Sequence, residues 1–220
     1  MAEDAIYIVL VGVQGSGKGT QAKILSEQLE IPHVSTGDLF REMRTLDTPL
    51  AREIQSLMKD GKLISDEITI QVVRERLSKG DAIPGAILDG FPRTQPQAEA
   101  LDALLADFGS KLNAVLHFKL DKALAIERIV NRRVCSLDKN HDYNLKTKPP
   151  QVPGRCDFDD SPLIQRPDDT PEAAEVRINT YLAETAPLLD YYRQRGILCE
   201  VDANQPVAAV TAELTTCIGM

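Results

Sequence analysis

Apolar positions along the chain gather into five short runs, separated by longer stretches with helix-like spacing. The first, Ile6 to Val11, is rich in β-branched residues and uninterrupted, the pattern of a strand buried on both faces. Pro32 to Ser35 predicts a second strand, Ala86 to Asp89 a third that ends at Gly90, Asn113 to Leu120 a fourth, and 197–201 a fifth. Helical patterns fall between them, at Lys18 to Leu29, at 95–107 and at 122–133, the last behind Asp121 as N-cap. Gly37 to Gly80 reads as polar helix with a break at Gly61. A long helix is predicted from Pro171 to about Arg195, with Thr170 as its cap and proline at its first position, and a last one over 207–217. Strands alternating with helices predict an α/β fold, a parallel sheet with helices on both faces. Only Val134 to Asp169 breaks the pattern. It is rich in Pro, Asp, Lys and Cys, and too long for a structureless loop inside a compact domain, so it predicts a small inserted subdomain.

Composition narrows the class. The 220 residues suit one or two domains with a core that needs no disulfide or metal. At 43% apolar and 26% charged, the chain is not collagen-like, wholly disordered or a coiled coil. The apolar run near the start, Ile6 to Val13, is far short of the roughly 20 residues of a membrane span. The opening Met-Ala-Glu-Asp is acidic where a signal peptide is basic, so the expectation is a cytoplasmic protein without membrane partners. A net charge of −8 argues against nucleic acid as a partner, yet leaves room for a local basic pocket. Four cysteines in such a chain are not expected to form disulfides, and Cys199 and Cys217 read as ordinary core thiols.

The chemistry starts at Gly12-Val-Gln-Gly15-Ser16-Gly17-Lys18-Gly19-Thr20, between a strand and a helix. Glycines let the backbone wrap a phosphate, successive N–H groups form an anion nest, the helix presents its positive end, and Lys18 adds a mobile ammonium. A nucleoside triphosphate with Mg²⁺ is the predicted ligand.

This loop is followed in order by Ser35-Thr36-Gly37-Asp38, Leu88-Asp89-Gly90-Phe91-Pro92-Arg93-Thr94, Arg132-Arg133 and Arg166-Pro-Asp-Asp169. Together these resemble the adenylate kinase family in its long-lid form, over essentially the whole chain. The resemblance implies a P-loop NTPase fold of five parallel strands carrying two inserts. A core would span 1–34, 65–130 and 170–220, an AMP-binding insert 35–64 and a lid 131–169. It implies reversible, Mg²⁺-dependent transfer of a phosphoryl group from ATP to AMP, giving two ADP, in a monomer serving adenine nucleotide balance. Another nucleoside monophosphate kinase, or a non-catalytic ATP/AMP-binding regulator, remain the alternatives.

The resemblance also assigns residues. Gly15, Ser16, Gly17, Lys18, Gly19 and Thr20 would hold ATP, with Arg128 stacked on its adenine, and Tyr143 and Gln205 beside it. Arg41 and Arg93 would hold the AMP phosphate, while Arg132, Arg166 and Arg177 close on the phosphates, a task suited to the planar guanidinium fork. Lys18, Arg93, Arg132, Arg166, Arg177 and Asp89 form the implied catalytic set, Asp89 orienting Mg²⁺ through water. Thr36, Lys62, Leu63, Ile64, Gly90, Phe91 and Gln97 would contact AMP, along with Arg166 and Arg177. Departures are Gln14 where the family usually has proline, Asn131 where glycine is common, Gln205 where a basic residue often stands, and one extra residue before Tyr143. Cys135-x2-Asp138 and Cys156-x2-Asp159 match lid positions that in many members bind structural Zn²⁺, with His141 as a substitute ligand. A metal-free Cys–Asp network and a disulfide are the other readings of that pair. His33 and His117 receive no role.

Overall fold

A computed structural model describes residues 5–43, 48–59, 63–138 and 140–219. In chain order the elements are β1 (Ile6–Gly12), α1 (Lys18–Leu29), β2 (His33–Ser35), α2 (Thr36–Met43), α3 (Pro49–Lys59), α4 (Asp66–Leu77), β3 (Gly85–Asp89), α5 (Gln95–Asp107), β4 (Leu112–Lys119) and α6 (Lys122–Val130). Then come β5 (Arg132–Cys135), β6 (Asp142–Asn144), β7 (Leu163–Ile164), α7 (Pro171–Thr180), α8 (Leu188–Gln194), β8 (Leu198–Asp202) and α9 (Val207–Cys217).

All five predicted strands form one parallel sheet in the order β2-β3-β1-β4-β8. The unbroken apolar run of β1 has a simple cause. Tyr7, Val9 and Val11 enter the core on one face, with Val73, Leu101 and Leu105. Ile8 and Leu10 enter the core on the other, with Ala22, Leu25 and Leu214. A smaller apolar cluster of Phe40, Ile54, Met58 and Ile64 holds the helical insert between β2 and α4. The stretch that broke the periodicity is a three-stranded antiparallel sheet, β6-β5-β7. Among the described residues no helix is long and apolar enough to cross a membrane.

Three expectations are corrected. The helix predicted over 122–133 stops at Val130; Asn131 caps it, and Arg132 opens β5. The long helix after Pro171 is interrupted at Tyr181–Thr185 by a π turn, closed by the Ala186 amide on the Tyr181 carbonyl at 2.8 Å. Pro187 lacks an amide and crowds the carbonyl four residues back, so the helix cannot run on unchanged.

Cys199 and Cys217, read as core thiols, are joined in a disulfide with Cα atoms 6.0 Å apart. The bond ties edge strand β8 to the end of α9, which the periodicity of either element alone cannot reveal. It closes an 18-residue separation, worth about 3 kcal/mol in the chain-entropy account. Reduction is therefore expected to lower Tm by roughly 6–12 °C in a thermal melt. Cys217→Ser should show the same fall and no further response to reductant.

Candidate active site

A cavity of about 920 Å³ opens at the carboxyl ends of the strands, where a parallel sheet of this kind binds ligands. It is lined by the turn after β1, the end of β3, α2, the π turn, the β5–β6 hairpin and the loop after β8. Of the residues expected to hold ATP, Gly15, Ser16, Gly17, Lys18, Gly19, Thr20, Arg128, Arg132, Tyr143 and Gln205 all line it. Of those expected to hold AMP, Thr36, Arg41, Leu63, Ile64, Gly90, Arg93, Gln97, Arg166 and Arg177 do. Phe91 does not: its ring is buried in the core beside Val11 and Val34, so any contact it makes with a ligand is confined to its backbone. Lys62 lies outside the described residues.

The turn after β1 is held by its own lysine. Lys18 Nζ donates to the carbonyls of Gly12, at 2.7 Å, and Val13, at 3.0 Å. Burial lowers its pKa to about 8, Asp89 opposes the shift, and Arg93 and Arg132 add to it. Ser16 Oγ is buried here with no hydrogen-bond partner among the described residues. Arg128 Nη1 donates to the Ala203 carbonyl at 3.1 Å, tying α6 to the loop after β8.

Asp89 ends β3 inside the cavity. Burial alone would raise its pKa; the His33 contact and the charges of Lys18 and Arg93 outweigh this and hold it below the usual carboxylate range. His33 Nε2 stands 3.5 Å from Asp89 Oδ2. The backbone then turns sharply at Gly90, where φ is +81°. A Cβ there would sit 2.8 Å from Thr36 Oγ1 and 2.9 Å from Arg93 Nη2, so only glycine lets these side chains converge. Thr36 donates to the Gly90 carbonyl at 2.9 Å. Arg93 Nε donates to the same carbonyl at 2.8 Å, and Thr185 of the π turn holds the Arg93 carbonyl at 3.0 Å.

Gln97 uses both ends of its amide inside the protein. Its oxygen accepts from the Arg93 amide at 2.8 Å, and its NH2 donates to Asp66 at 2.7 Å. The other arginines are framed by aspartates. Arg41 pairs with Asp38, its Nε 3.1 Å from Oδ1. Arg132 is bidentate on the fully buried Asp169, and Arg177 binds the buried Asp168. Arg166 is drawn down to about 10 by burial and by the neighbouring charges of Arg132 and Arg41. Across the cavity, Lys23 on α1 donates to the Asn140 carbonyl at 2.6 Å and sits 3.2 Å from Asp142, so α1 and the β5–β6 hairpin touch.

Asp168 and Asp169 belong to the Arg166–Asp169 pattern, which assigns them no role, and Asp66, His33 and Thr185 carry no signal in the sequence. Asp168 lies nine residues from Arg177, whereas the partners of the others lie far off in the chain, where no local spacing encodes them.

Of the four lid residues expected together, three, Cys135, Cys156 and Asp159, converge, and His141 stands with them in place of Asp138. Cys135, His141, Cys156 and Asp159 each offer a donor atom, all within 4.8 Å of one another. Asp138 is not in the group. Its amide donates to Cys135 Sγ at 3.1 Å, while its carboxylate accepts from the Asn140 amide at 2.8 Å and lies 3.5 Å from His141 Nε2. The turn thus carries the Asp138 carboxylate to the far side of the imidazole. His141 Nδ1 faces inward, 3.4 Å from Cys156 Sγ and 3.6 Å from Asp159. Cys135 and Cys156 are buried and form no disulfide. Tyr143, expected near the ATP sugar, turns its hydroxyl to this cluster, donating to Cys156 Sγ at 3.5 Å and accepting from the Asp157 amide at 2.8 Å.

Comparison with known proteins bears on the whole arrangement. The family model described as adenylate kinase matches residues 10–197. The chain is similar to an adenylate kinase of Moorella thermoacetica, 45% identical over 96% of this chain and 97% of that one. It is similar to one of Bacillus subtilis, at 42% over 96% and 97%, and to one of Streptomyces avermitilis, at 44% over 93% of each.

Proposed function

The chain belongs to the adenylate kinase family and is an ATP:AMP phosphotransferase, and from that premise we propose how its own residues divide the work. The observation that carries the division is the convergence of Lys18, Arg41, Arg93, Arg132, Arg166 and Arg177 on one cavity of a chain with net charge −8. Phosphoryl transfer is catalysed by positioning and charge, not by a covalent nucleophile, and such a ring supplies both.

In this reading 12–20, with Arg128, Tyr143 and Gln205, receive ATP, whose phosphates draw Lys18 away from the loop carbonyls. Thr36, Leu63, Ile64 and Gln97 receive the adenine of AMP, with Lys62 and the Gly90–Phe91 backbone beside them. Arg41 and Arg93 grip its phosphate, while Arg132, Arg166 and Arg177 span the two phosphate groups. AMP presents an already ionised oxygen, so Asp89 need not act as a base. Adenylate kinases use Mg²⁺ with ATP, and the ionised, half-buried Asp89 fits a role of orienting it through water; when bound, the ion would offset phosphate charge. Residues 1–34, 65–130 and 170–220 form the core in this proposal, 35–64 the AMP insert and 131–169 the lid. A cytoplasmic setting belongs to the proposal, and so does a monomer, since one chain carries every assigned residue.

The test is a two-substrate mimic, two adenosines joined through a phosphate chain. One molecule should bind per chain by calorimetry, with affinity reduced 10²-fold or more in Arg93→Ala. Unchanged affinity would remove Arg93 from the phosphate site.

For the lid, we propose a structural Zn²⁺ on Cys135, His141, Cys156 and Asp159. Two thiolates, an imidazole and a carboxylate are donors zinc accepts, and the Asp138 carboxylate beside His141 suits the outer partner of a metal-bound imidazole. When bound, zinc would pin the cysteine turns on either side of β6 to each other. About one zinc per chain is expected by elemental analysis of protein kept from chelators, lost in Cys135→Ser with Cys156→Ser and in His141→Ala but retained in Asp138→Asn. Absence of zinc from the unmodified protein would favour the metal-free network, in which the Cys135 thiol, 3.3 Å from Asp159 Oδ2, donates to that carboxylate.

A further inference from the structure

Gln14 sits in the phosphate loop and Arg177 on α7, 163 residues away, yet Arg177 Nη1 donates to Gln14 Oε1 at 2.8 Å. A guanidinium carries only donors, so the amide must turn its oxygen toward it. The other bonds of Arg177 are of two kinds. Asp168 holds it through the carboxylate and through the backbone carbonyl, the latter at 3.1 Å. The Met58 carbonyl, at the end of α3, accepts from Nη2 at 3.4 Å, the longest of the set. Gln14 and Arg177 both line the cavity.

These contacts differ in how readily a phosphate displaces them. Asp168 is charged and buried, and its bond to the guanidinium is of the strong, charge-assisted kind. The Met58 contact is long and to a neutral carbonyl, so it is the one an incoming phosphate oxygen takes over. Gln14 offers a short bond to a neutral acceptor. It can fix the plane of the fork without cancelling the positive charge that the transferred group needs, which a second carboxylate could not do.

We propose that Gln14 is a positioning residue for phosphoryl transfer: it binds Arg177 to the phosphate loop, so that the guanidinium is aligned before the nucleotides arrive. The proposal rests on the assignment of Arg177 to the phosphates made above. A fork misplaced by about 1 Å can cost far more than the bond that aligned it, because the transition state depends on geometry.

The experiment is a double-mutant cycle of Gln14→Met and Arg177→Ala, with Gln14→Ala as a second probe, read as kcat and KM for ATP and AMP. Methionine keeps the length of glutamine and removes the acceptor. Gln14→Met is expected to lower kcat about tenfold, with both KM values within about twofold and Tm within about 2 °C of the unmodified protein. On the Arg177→Ala background the same change should have no further effect. An unaltered kcat in both Gln14 variants, with Arg177→Ala strongly impaired, overturns the proposal while leaving the Arg177 assignment standing. An equal loss on both backgrounds overturns it as well, since Gln14 would then act through the loop alone. A near-normal rate in Arg177→Ala overturns the assignment and the proposal together.

Discussion

Lys18→Met is expected to lower the rate of ADP formation by about 10³-fold or more, with the fold intact. The side chain is held inside the cavity by two loop carbonyls, which a charged phosphate oxygen outcompetes. No other cation stands in the loop, so none can follow the transferred group in its place. The pH profile gives a second readout. Burial brings the Lys18 pKa in the free protein down to about 8. The protonated form binds phosphate, so kcat/KM should be level below pH 8 and fall above it, because that ratio reports the free enzyme. Bound nucleotide favours the ammonium, which moves the corresponding limb of kcat to higher pH. Both limbs should be absent from the residual activity of Lys18→Met. A variant within tenfold of the unmodified enzyme would remove Lys18 from the chemistry.

The second large effect is on the frame that aims the site. Gly85 begins β3 with φ of +132°, and a Cβ there would stand 2.0 Å from the Ile6 carbonyl oxygen and 2.6 Å from its carbon. Both atoms are backbone of β1, so neither can yield as a flexible side chain would. Ile6 and Gly85 are also the first register pair between the strands that carry the phosphate loop and Asp89. Gly85→Ala is expected to cost about 4 kcal/mol or more, read as a fall in Tm of roughly 8–16 °C or greater, or as failure to fold. Gly80→Ala is the matched control. Among the described residues nothing lies within 4 Å of a Cβ at that position, and the change should stay within about 0.5 kcal/mol.

What could be read from the sequence follows from what each signal reports. A strand buried on both faces must be apolar throughout, and Ile6 to Val11 announces that without help from the rest of the chain. Helix α5 runs from Gln95 to Asp107 and α9 from Val207 to Cys217, as the spacing predicts, because each lays one apolar stripe on the sheet. The phosphate loop is local chemistry in nine consecutive residues, and most of the expected nucleotide contacts do line the cavity. Contacts that depend on the tertiary fold were hidden. Gln97 could be placed near AMP, but its clasp of Asp66 could not. The aspartates behind Arg132 and Arg177 sit in a quoted motif, yet only the fold shows which arginine each one steadies. His141, named from the sequence as a substitute ligand, stands in the cysteine cluster where Asp138 was expected, and spacing alone does not choose between the two. Cys199 and Cys217 meet because the edge strand and the last helix pack together, and each looks like a core thiol when read by itself.

In the proposed function this cavity joins a triphosphate and an adenine monophosphate in one transfer step. It is tested most directly by initial rates of nucleoside diphosphate formation from Mg·ATP with AMP, GMP, CMP and UMP as separate acceptors. Rapid turnover with AMP, and at most weak turnover with the other three, is the predicted result. A faster rate with another monophosphate would contradict the assignment of Thr36 and Gln97 to the adenine, and absence of turnover in folded, nucleotide-binding protein would contradict the catalytic account as a whole.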